Sequence, residues 1–228
     1  MITYEIIGSG SEGNALLINK ELLIDCGVPY SKVAPHLKDL KFVLVTHQHG
    51  DHYNPTTLNK IKYERPLVEV LVNSDLNTSE LNFKVHPLYA DKMMMAGGYI
   101  IIPQKLYHNV SNLAFIVKHQ SGKFFYGTDT FEVKHISKAQ GLDFYFLEMN
   151  FDENIVDDIV EREIKDSNIG FTHYEESQYN HLSFQKAWKW FSENRRMDSR
   201  LIPLHVSGKL VGSLLTFLKD QDPDLISF

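Results

Sequence analysis

The sequence contains a single cysteine, Cys26, among its 228 residues, and this excludes an intramolecular disulfide bond. A chain without disulfides fits a reducing compartment. The residues around it, LLIDCG, predict that Cys26 is a small buried residue at the end of a strand, not a nucleophile or a metal ligand.

An excess of positive charge is also lacking, because 23 Lys and Arg stand against 29 Asp and Glu and the formal net charge is −6 at pH 7. This balance disfavours a general electrostatic attraction to nucleic acid. A bound divalent cation adds positive charge that a count of side chains omits. The composition is therefore compatible with a local phosphate-binding site at a metal.

Long apolar runs are absent, since no stretch approaches the roughly 18 residues that a membrane-spanning helix needs. The first residues, MITYEIIGSG, have neither the basic segment nor the long apolar segment of a secretory signal. We therefore expect no membrane partner and a cytoplasmic location. Internal repeats, low-complexity tracts and serine- or proline-rich linkers are absent too, which predicts one domain over residues 1–228.

Short apolar runs predict strands, and apolar residues at helical spacing predict helices. The predicted strands are 2–7, 15–18, 22–24, 42–46, 67–72, 99–102, 113–117, 123–126 and 144–147. The predicted helices are 55–62, 152–165, 183–193 and 209–218. Asn54 and Pro55 are typical of a helix start, because asparagine caps the helix and proline suits its first position. The pattern indicates the α/β (α+β) class.

The stretch THQHGDH, residues 46–52, directly follows the apolar run FVLV. It contains His47, His49, Asp51 and His52, and histidine and aspartate bind the same divalent cations. Residues two apart in an extended segment point the same way, so His47 and His49 can share one ion. Asp51 and His52 come after the turn, and we expect them to face a second ion.

Three later residues repeat one arrangement, in which an apolar run stops at a residue able to bind metal. They are His108 after IIIPQKLY, Asp129 in FFYGTDT and His205 in RLIPLHVSG. A hydrolytic metal site needs ligands from several strand ends and an open position for water or substrate. The recurrence predicts that these residues complete the site that the histidine stretch begins.

The stretch THQHGDH matches the H-x-H-x-D-H signature, and the sequence from GSGSEGNALLI to PLHVSG resembles the metallo-β-lactamase fold hydrolases. The resemblance implies a four-layer αββα sandwich with a dinuclear site, usually of zinc, with manganese as the alternative. It implies first-metal ligands at His47, His49 and His108, second-metal ligands at Asp51, His52 and His205, and a bridging carboxylate at Asp129. It also implies that Asp25 supports the histidine loop by hydrogen bonding.

Several shorter motifs are similar to a bacterial and phage branch that includes a cell-wall-associated 5′→3′ DNA exonuclease. These motifs are GSGSEGN, YGTDT, LEMNFD, NHLS and PLHVSG. Asn180 and Phe151 stand where that branch usually has glycine and histidine, and GKL replaces its asparagines after the last motif. These departures leave the predicted metal ligands intact.

The resemblance implies a metal-dependent phosphodiesterase or nuclease acting on DNA, RNA or nucleotides, in which a hydroxide bridging the two metals attacks. Asp51 is then both a metal ligand and a catalytic residue. The leaving alkoxide needs a proton donor, for which His181 in NHLS is the candidate and Tyr107 and Tyr179 are alternatives. The competing interpretation is that His181 only enters a helix that Ser183 caps.

Other functions use the same residues differently. A hydrolase of small molecules (a cyclic nucleotide, a lactone or a thioester) would need the same metal ligands. A binding protein without activity is disfavoured, because the predicted ligand set is complete. An iron oxidoreductase would be expected to carry a carboxylate where this chain has His49.

The expected partner is a nucleic acid or nucleotide substrate, and a homodimer is left open. Two basic groups bear on the substrate. They are Lys60, Lys62 and Arg65 after the histidine stretch, and Arg195, Arg196 and Arg200 before His205. A basic strip leading to the metals and an ordinary solvated face explain these groups equally well.

Overall fold

The computed structural model describes residues 1–157, 160 and 178–222. The chain forms two compact units, one made of Met1–Lys105 and Val110–Lys123 and the other of Leu106–Asn109 and Phe124–Phe228. Its strands form two mixed sheets accompanied by helices, which confirms the predicted α/β (α+β) class. One domain over residues 1–228 stays a prediction.

The first unit contains a six-stranded sheet in the order β1 to β6. The strands are β1 (Tyr4–Gly8), β2 (Ala15–Ile18), β3 (Leu22–Ile24), β4 (Phe42–Val45), β5 (Glu69–Asn73) and β6 (His86–Leu88). β1 to β3 pair antiparallel, and β3 to β6 pair in parallel. β2, β3 and β4 are buried throughout, which explains why their apolar runs do not alternate with polar residues. The carboxyl ends of β3, β4 and β5 therefore share one edge.

Two helices pack with this sheet, α1 (Tyr30–Val33) and α2 (Pro55–Glu64). The Asn54 side chain accepts a hydrogen bond from the backbone N–H of Thr57, so the predicted helix start is confirmed. Leu58 and Ile61 of α2 are buried in an apolar cluster with Val43 and Val70 of the sheet. This packing fixes the chain that leaves the histidine stretch.

The first unit has a second group of strands, in the order β7, β8, β9. They are β7 (Met94–Ala96), β8 (Tyr99–Leu106), of which residues up to Lys105 belong to this unit, and β9 (Asn112–His119). β7 pairs antiparallel with β8. Met93, just before β7, and Met95 within it are exposed, so these two side chains do not belong to the core.

The second unit contains three neighbouring parallel strands. They are β10 (Gly122–Gly127), which enters this unit at Phe124, β11 (Phe144–Glu148) and β12 (Arg200–Leu204). Aromatic rings fill the core: Phe124 packs edge-to-face on Phe146, and Tyr145 packs on Phe191 of helix α3 (Phe184–Asn194). Helix α4 (Val211–Gln221) follows a short 3₁₀ turn after β12.

Most predicted elements are confirmed, with ends shifted by a few residues. β6 and β7 were missed because each has only three residues, and β6 (HPL) is not an apolar run. Half of the predicted helix 152–165 lies outside the described residues, and within the described half 156, 157 and 160 are helical. No helix within the described part of the chain is long and apolar enough to cross a membrane.

Candidate functional site

The predicted residues of the first unit follow the carboxyl ends of its parallel strands. Asp25 comes directly after β3, and Thr46 and His47 come directly after β4. The Asp25 carboxylate accepts hydrogen bonds from the Thr46 backbone N–H at 2.9 Å and from the Thr46 hydroxyl at 2.9 Å. Asn73, at the end of β5, donates to the Thr46 carbonyl at 3.0 Å. The start of the histidine stretch is therefore held by both neighbouring strands.

Asp25 also orients a histidine. Its Oδ2 lies 2.7 Å from Nδ1 of His52, and both side chains are fully buried. An ionised carboxylate only accepts, so Nδ1 carries the proton and Nε2 presents its lone pair. Asn14 Nδ2 lies 2.8 Å from that Nε2 and 3.2 Å from Asp51 Oδ2. His52 Nε2 and Asp51 Oδ2 therefore both act as hydrogen-bond acceptors toward Asn14. The lone pairs of such acceptor atoms are what a bound cation needs.

The imidazole rings of the stretch are gathered together. The His47 ring centroid lies 4.9 Å from that of His49 and 4.2 Å from that of His52. Gly27 allows the backbone of Asp51 to pass close to its own backbone, because a Cβ at Gly27 would meet the Asp51 carbonyl oxygen at 1.8 Å. Any larger residue at Gly27 would displace the loop that carries Asp51 and His52.

We expect Asp25→Ala to lower the free energy of unfolding by about 3 kcal/mol, because the buried partners on Thr46 and His52 lose their acceptor. Urea denaturation of the metal-free protein measures this change. The matched control is Asp39→Ala, since Asp39 is an exposed aspartate of the same unit. Equal stability of the two variants would contradict a supporting role for Asp25.

The second unit repeats the arrangement at its own parallel strands. Asp129 lies just beyond β10, Glu148 ends β11, and His205 follows β12. Together with His181 they offer ligand atoms that lie within 4.8 Å of one another, close enough to hold a metal ion. Of these residues, Glu148 was not predicted as a site residue.

Glu148 is fully buried between the histidines. Its Oε1 lies 2.6 Å from His181 Nδ1 and 3.3 Å from His205 Nδ1, and its Oε2 accepts from the N–H groups of Thr130 and Leu182. Burial acts to raise the pKa of Glu148, but the charge and hydrogen bonds of the histidines outweigh it and lower the pKa. The carboxylate therefore serves to orient the two imidazoles.

His181 is the other partner in this contact. Burial acts to lower its pKa, and the carboxylates of Glu148 and Asp129 outweigh burial and raise the pKa. Because Nδ1 donates to Glu148, Nε2 is the nitrogen that remains able to exchange a proton with a substrate. His108 lies in the same unit, with its ring centroid 5.8 Å from that of His181 and its Nδ1 3.2 Å from the Asn180 carbonyl. Ser183 caps α3 as predicted, so capping and the histidine contact coexist.

Three residues at these strand ends have left-handed backbone conformations. The φ angles are +60° at Asp25, +56° at Asp129 and +52° at His205. Such conformations cost energy for residues with a Cβ and cluster where function requires them. They turn each side chain out of its strand at the point where the sheet ends.

The structure gathers the predicted site residues in each unit separately. His47, His49, Asp51 and His52 lie together in the first unit with Asp25, and His108, Asp129, His181 and His205 lie in the second with Glu148. Imidazole nitrogens and carboxylate oxygens suit zinc and manganese, so this donor set fits divalent ions. The signal for Glu148 was present, since it too ends an apolar run, FYFL.

The two basic groups have partners within their own units. Lys62 donates to the Pro66 and Val68 carbonyls and Arg65 to that of Lys38. The remaining contacts are Lys60 over Tyr30, Arg195 with Asp222, Arg196 with Asp143 and Asp198, and Arg200 over Phe144. These contacts favour a structured, solvated charged face over a basic strip for nucleic acid.

Comparison with known proteins bears on both fold and family. Residues 20–206 match the family model described as Beta-lactamase superfamily domain. The metallo-beta-lactamase fold protein YhfI from Bacillus subtilis is similar, with TM-score 0.73 and 18% identity over 96% of this chain and 92% of that one. Human tRNase Z, short form, is similar with TM-score 0.65 and 14% identity over 92% of this chain and 94% of that one. The predicted metallo-β-lactamase type of fold is therefore confirmed.

A curated relative gives a shorter match. Exodeoxyribonuclease WalJ of Streptococcus pneumoniae is 34% identical over an alignment of 70 residues, and the match covers 26% of this chain and 26% of that protein. The match thus spans about a quarter of the relative's length. The match supports the similarity to the exonuclease branch.

Proposed function

This chain belongs to the Beta-lactamase superfamily domain family, and on that premise we propose that it is a phosphodiesterase or nuclease acting on DNA or nucleotides. The family's fold is mostly that of metal-dependent hydrolases, and the chain carries His/Asp clusters able to bind metal. One observation carries the proposal: in both units, imidazoles and carboxylates stand at the carboxyl ends of parallel strands, oriented by buried Asp25 and Glu148.

We propose two divalent ions, zinc or manganese, with the ligands that the family resemblance implies. These are His47, His49 and His108 for one ion, Asp51, His52 and His205 for the other, and Asp129 for both. The donor chemistry within each unit supports this assignment. When bound, such ions activate water and neutralise charge on a phosphodiester.

Side chains of the protein would orient the histidines and supply the proton for the leaving group. Asp25 and Glu148 would fix the tautomer and the direction of the histidines that they contact through Nδ1, so that Nε2 of His52 and of His181 points away from the orienting carboxylate. His181 carries its Nδ1 proton toward Glu148, and its Nε2 would hold the proton that the leaving oxygen takes up. Catalysis would therefore combine Asp51 on the metal side with His181 on the leaving-group side.

The substrate class is supported by the named activities of similar proteins. The WalJ match is to an exodeoxyribonuclease, and human tRNase Z shares the fold. Both names refer to nucleic-acid chemistry, whereas the shared fold alone leaves the substrate open. A cytoplasmic location, a homodimer and one functional domain over the whole chain stay predictions.

The test is hydrolysis of bis(p-nitrophenyl) phosphate by protein stripped of metal with a chelator and reloaded with zinc or manganese. We expect turnover in the reloaded protein, none in the stripped protein, and two bound ions per chain by elemental analysis. Two bound ions without diester turnover, together with hydrolysis of a thioester or lactone, would contradict the phosphodiesterase proposal and favour the small-molecule alternative.

A further inference from the structure

A cavity of about 420 Å³ lies within the second unit, outside the set of histidines and carboxylates described above. Its lining residues come from two segments, the loop after Asp129 and helix α3: Phe131, Glu132, Val133, Lys186, Lys189, Trp190 and Glu193. This volume lies within the range of small-ligand sites, about 300–1,000 Å³. Aromatic, cationic and anionic side chains meet in it, so its ligand should have an aromatic part and charged or polar parts.

Helix α3 presents one face to the cavity. Lys186, Lys189, Trp190 and Glu193 have the spacing i, i+3, i+4, i+7, which places them on one side of a helix. Lys186 and Lys189 are exposed, and no ion pair among residues 1–157, 160 and 178–222 includes either ammonium group. Arg195 and Arg196, in contrast, form ion pairs with carboxylates.

The other segment of the lining presents an aromatic ring that is held in place by Tyr107. Phe131 is 38% exposed, although its backbone N–H donates to the Tyr107 carbonyl at 3.2 Å and its ring packs edge-to-face on Tyr107 at 6.0 Å. Trp190 is buried, and its indole N–H donates to the Lys134 carbonyl at 3.1 Å. The cavity lining therefore has one accessible ring, Phe131, available for stacking and one buried ring, Trp190.

The cavity is joined to the metal-binding residues through the chain itself. Phe131 follows Asp129 by two residues, so their Cα atoms lie within about 7 Å of each other. Thr130, between them, donates its N–H to Glu148 at 3.0 Å and contacts the Tyr107 and Glu132 carbonyls through its hydroxyl. Phe131 and Asp129 therefore belong to one short segment, which the Thr130 N–H anchors to Glu148.

We propose that this cavity binds a nucleoside unit of the substrate, adjacent to the phosphate that is cleaved. The base stacks on Phe131, because stacking on an aromatic ring is the main way in which proteins hold unpaired bases. Lys186 and Lys189 bind the neighbouring phosphate, and Glu132 and Glu193 accept hydrogen bonds from amino groups of the base. This inference rests on the proposed function and identifies its substrate as a single strand or a free nucleotide end.

The first test measures binding without turnover. The chain has two tryptophans, so Trp188→Phe leaves Trp190, in the cavity wall, as the sole reporter. In metal-free protein we expect a single-stranded oligodeoxyadenylate to change Trp190 fluorescence saturably. We expect inorganic tripolyphosphate, which has charge and no base, to bind at least about tenfold more weakly. Equal binding of the two would overturn the proposal.

The second test uses matched variants in that background and in the reloaded enzyme. Phe131→Leu should weaken oligonucleotide binding about tenfold, and should lower kcat/KM for the oligonucleotide relative to that for bis(p-nitrophenyl) phosphate by the same factor. Phe131→Tyr retains the ring and should restore both. Lys186→Gln with Lys189→Gln should weaken binding in a salt-dependent way, and Lys138→Gln, an exposed lysine outside the cavity, should not.

The outcomes separate this inference from the proposed function. Diester hydrolysis with no effect of Phe131→Leu on the oligonucleotide overturns the nucleoside site and leaves the phosphodiesterase standing. Base-dependent binding that Phe131→Leu removes, without hydrolysis of any diester, supports the nucleoside site and overturns the phosphodiesterase. A loss in Phe131→Leu that Phe131→Tyr fails to restore overturns the stacking role.

Discussion

Asp51→Ala should reduce the turnover of bis(p-nitrophenyl) phosphate by the metal-loaded protein more than about a hundredfold, because changing residues that merely orient a ligand already costs ten- to hundredfold. Asp51 is partly exposed, and its carboxylate contacts Asn14 and His52. Its removal therefore leaves the core intact and acts on the metal-binding set. Activity and bound metal should fall together, from two ions toward one.

The control for Asp51→Ala is Asp39→Ala, which removes an exposed carboxylate of the same unit and should keep full activity and both ions. Circular dichroism and a denaturation curve should show both variants folded. A folded Asp51→Ala protein with undiminished turnover would contradict the assignment of Asp51 as a ligand and as a catalytic residue. The H-x-H-x-D-H resemblance would then identify the fold without identifying the chemistry.

The placement of the histidine stretch could be predicted because it depends on local rules. A buried parallel strand shows as an uninterrupted apolar run, and the chain must turn where that run ends. Polar residues directly after the run therefore stand at the sheet edge, as His47 does after β4 and His205 after β12. The same reasoning placed Asp129, so most of the candidate residues follow from strand ends alone.

The role of Glu148 could not be predicted from its position at a strand end. It ends β11 as the others end their strands, but a buried carboxylate is rare unless it is paired, and its partners are distant in sequence. His181 and His205 lie 33 and 57 residues further along the chain. Only the tertiary structure shows that both histidines meet this carboxylate. The contacts that satisfy Lys62, Arg65 and Arg196 are hidden from sequence for the same reason.

The cavity beside Phe131 is a further product of tertiary structure. A sequence places Trp190 and Lys186 on a helix and Phe131 in a loop, and gives no sign that they face a common space. Phe184 and Phe191 of α3 are buried, as apolar residues at helical spacing predict. The apolar periodicity does not account for the adjacent face of the same helix, which lines the cavity.

His181→Ala should produce a loss that depends on the leaving group. General acid catalysis contributes about a hundredfold to ten-thousandfold when the leaving group needs a proton. A dinucleotide leaves as an alkoxide and needs that proton, whereas p-nitrophenolate is stable without one. We therefore expect kcat for a dinucleotide to fall at least about a hundredfold, and kcat for bis(p-nitrophenyl) phosphate to fall far less.

Metal content distinguishes this role from the obvious competitor. His181 belongs to a group with Asp129, Glu148 and His205 whose atoms lie close enough to hold an ion. If His181 is a ligand, His181→Ala should lose metal and slow both substrates equally. Retention of both ions with a selective loss on the dinucleotide supports the proton donor instead.

Glu148→Gln extends this test to the residue behind His181. The amide keeps the size of the side chain, but it no longer supplies an ionised oxygen at 2.6 Å from Nδ1 of His181. The imidazole is then less firmly oriented, and its tautomer is no longer fixed by a carboxylate. Glu148→Gln should show the same leaving-group selectivity as His181→Ala with a smaller loss, and combining the two changes should cost no more than His181→Ala alone. Additive losses would mean that Glu148 acts through His205 or the fold, because two residues that act through one proton share a single effect.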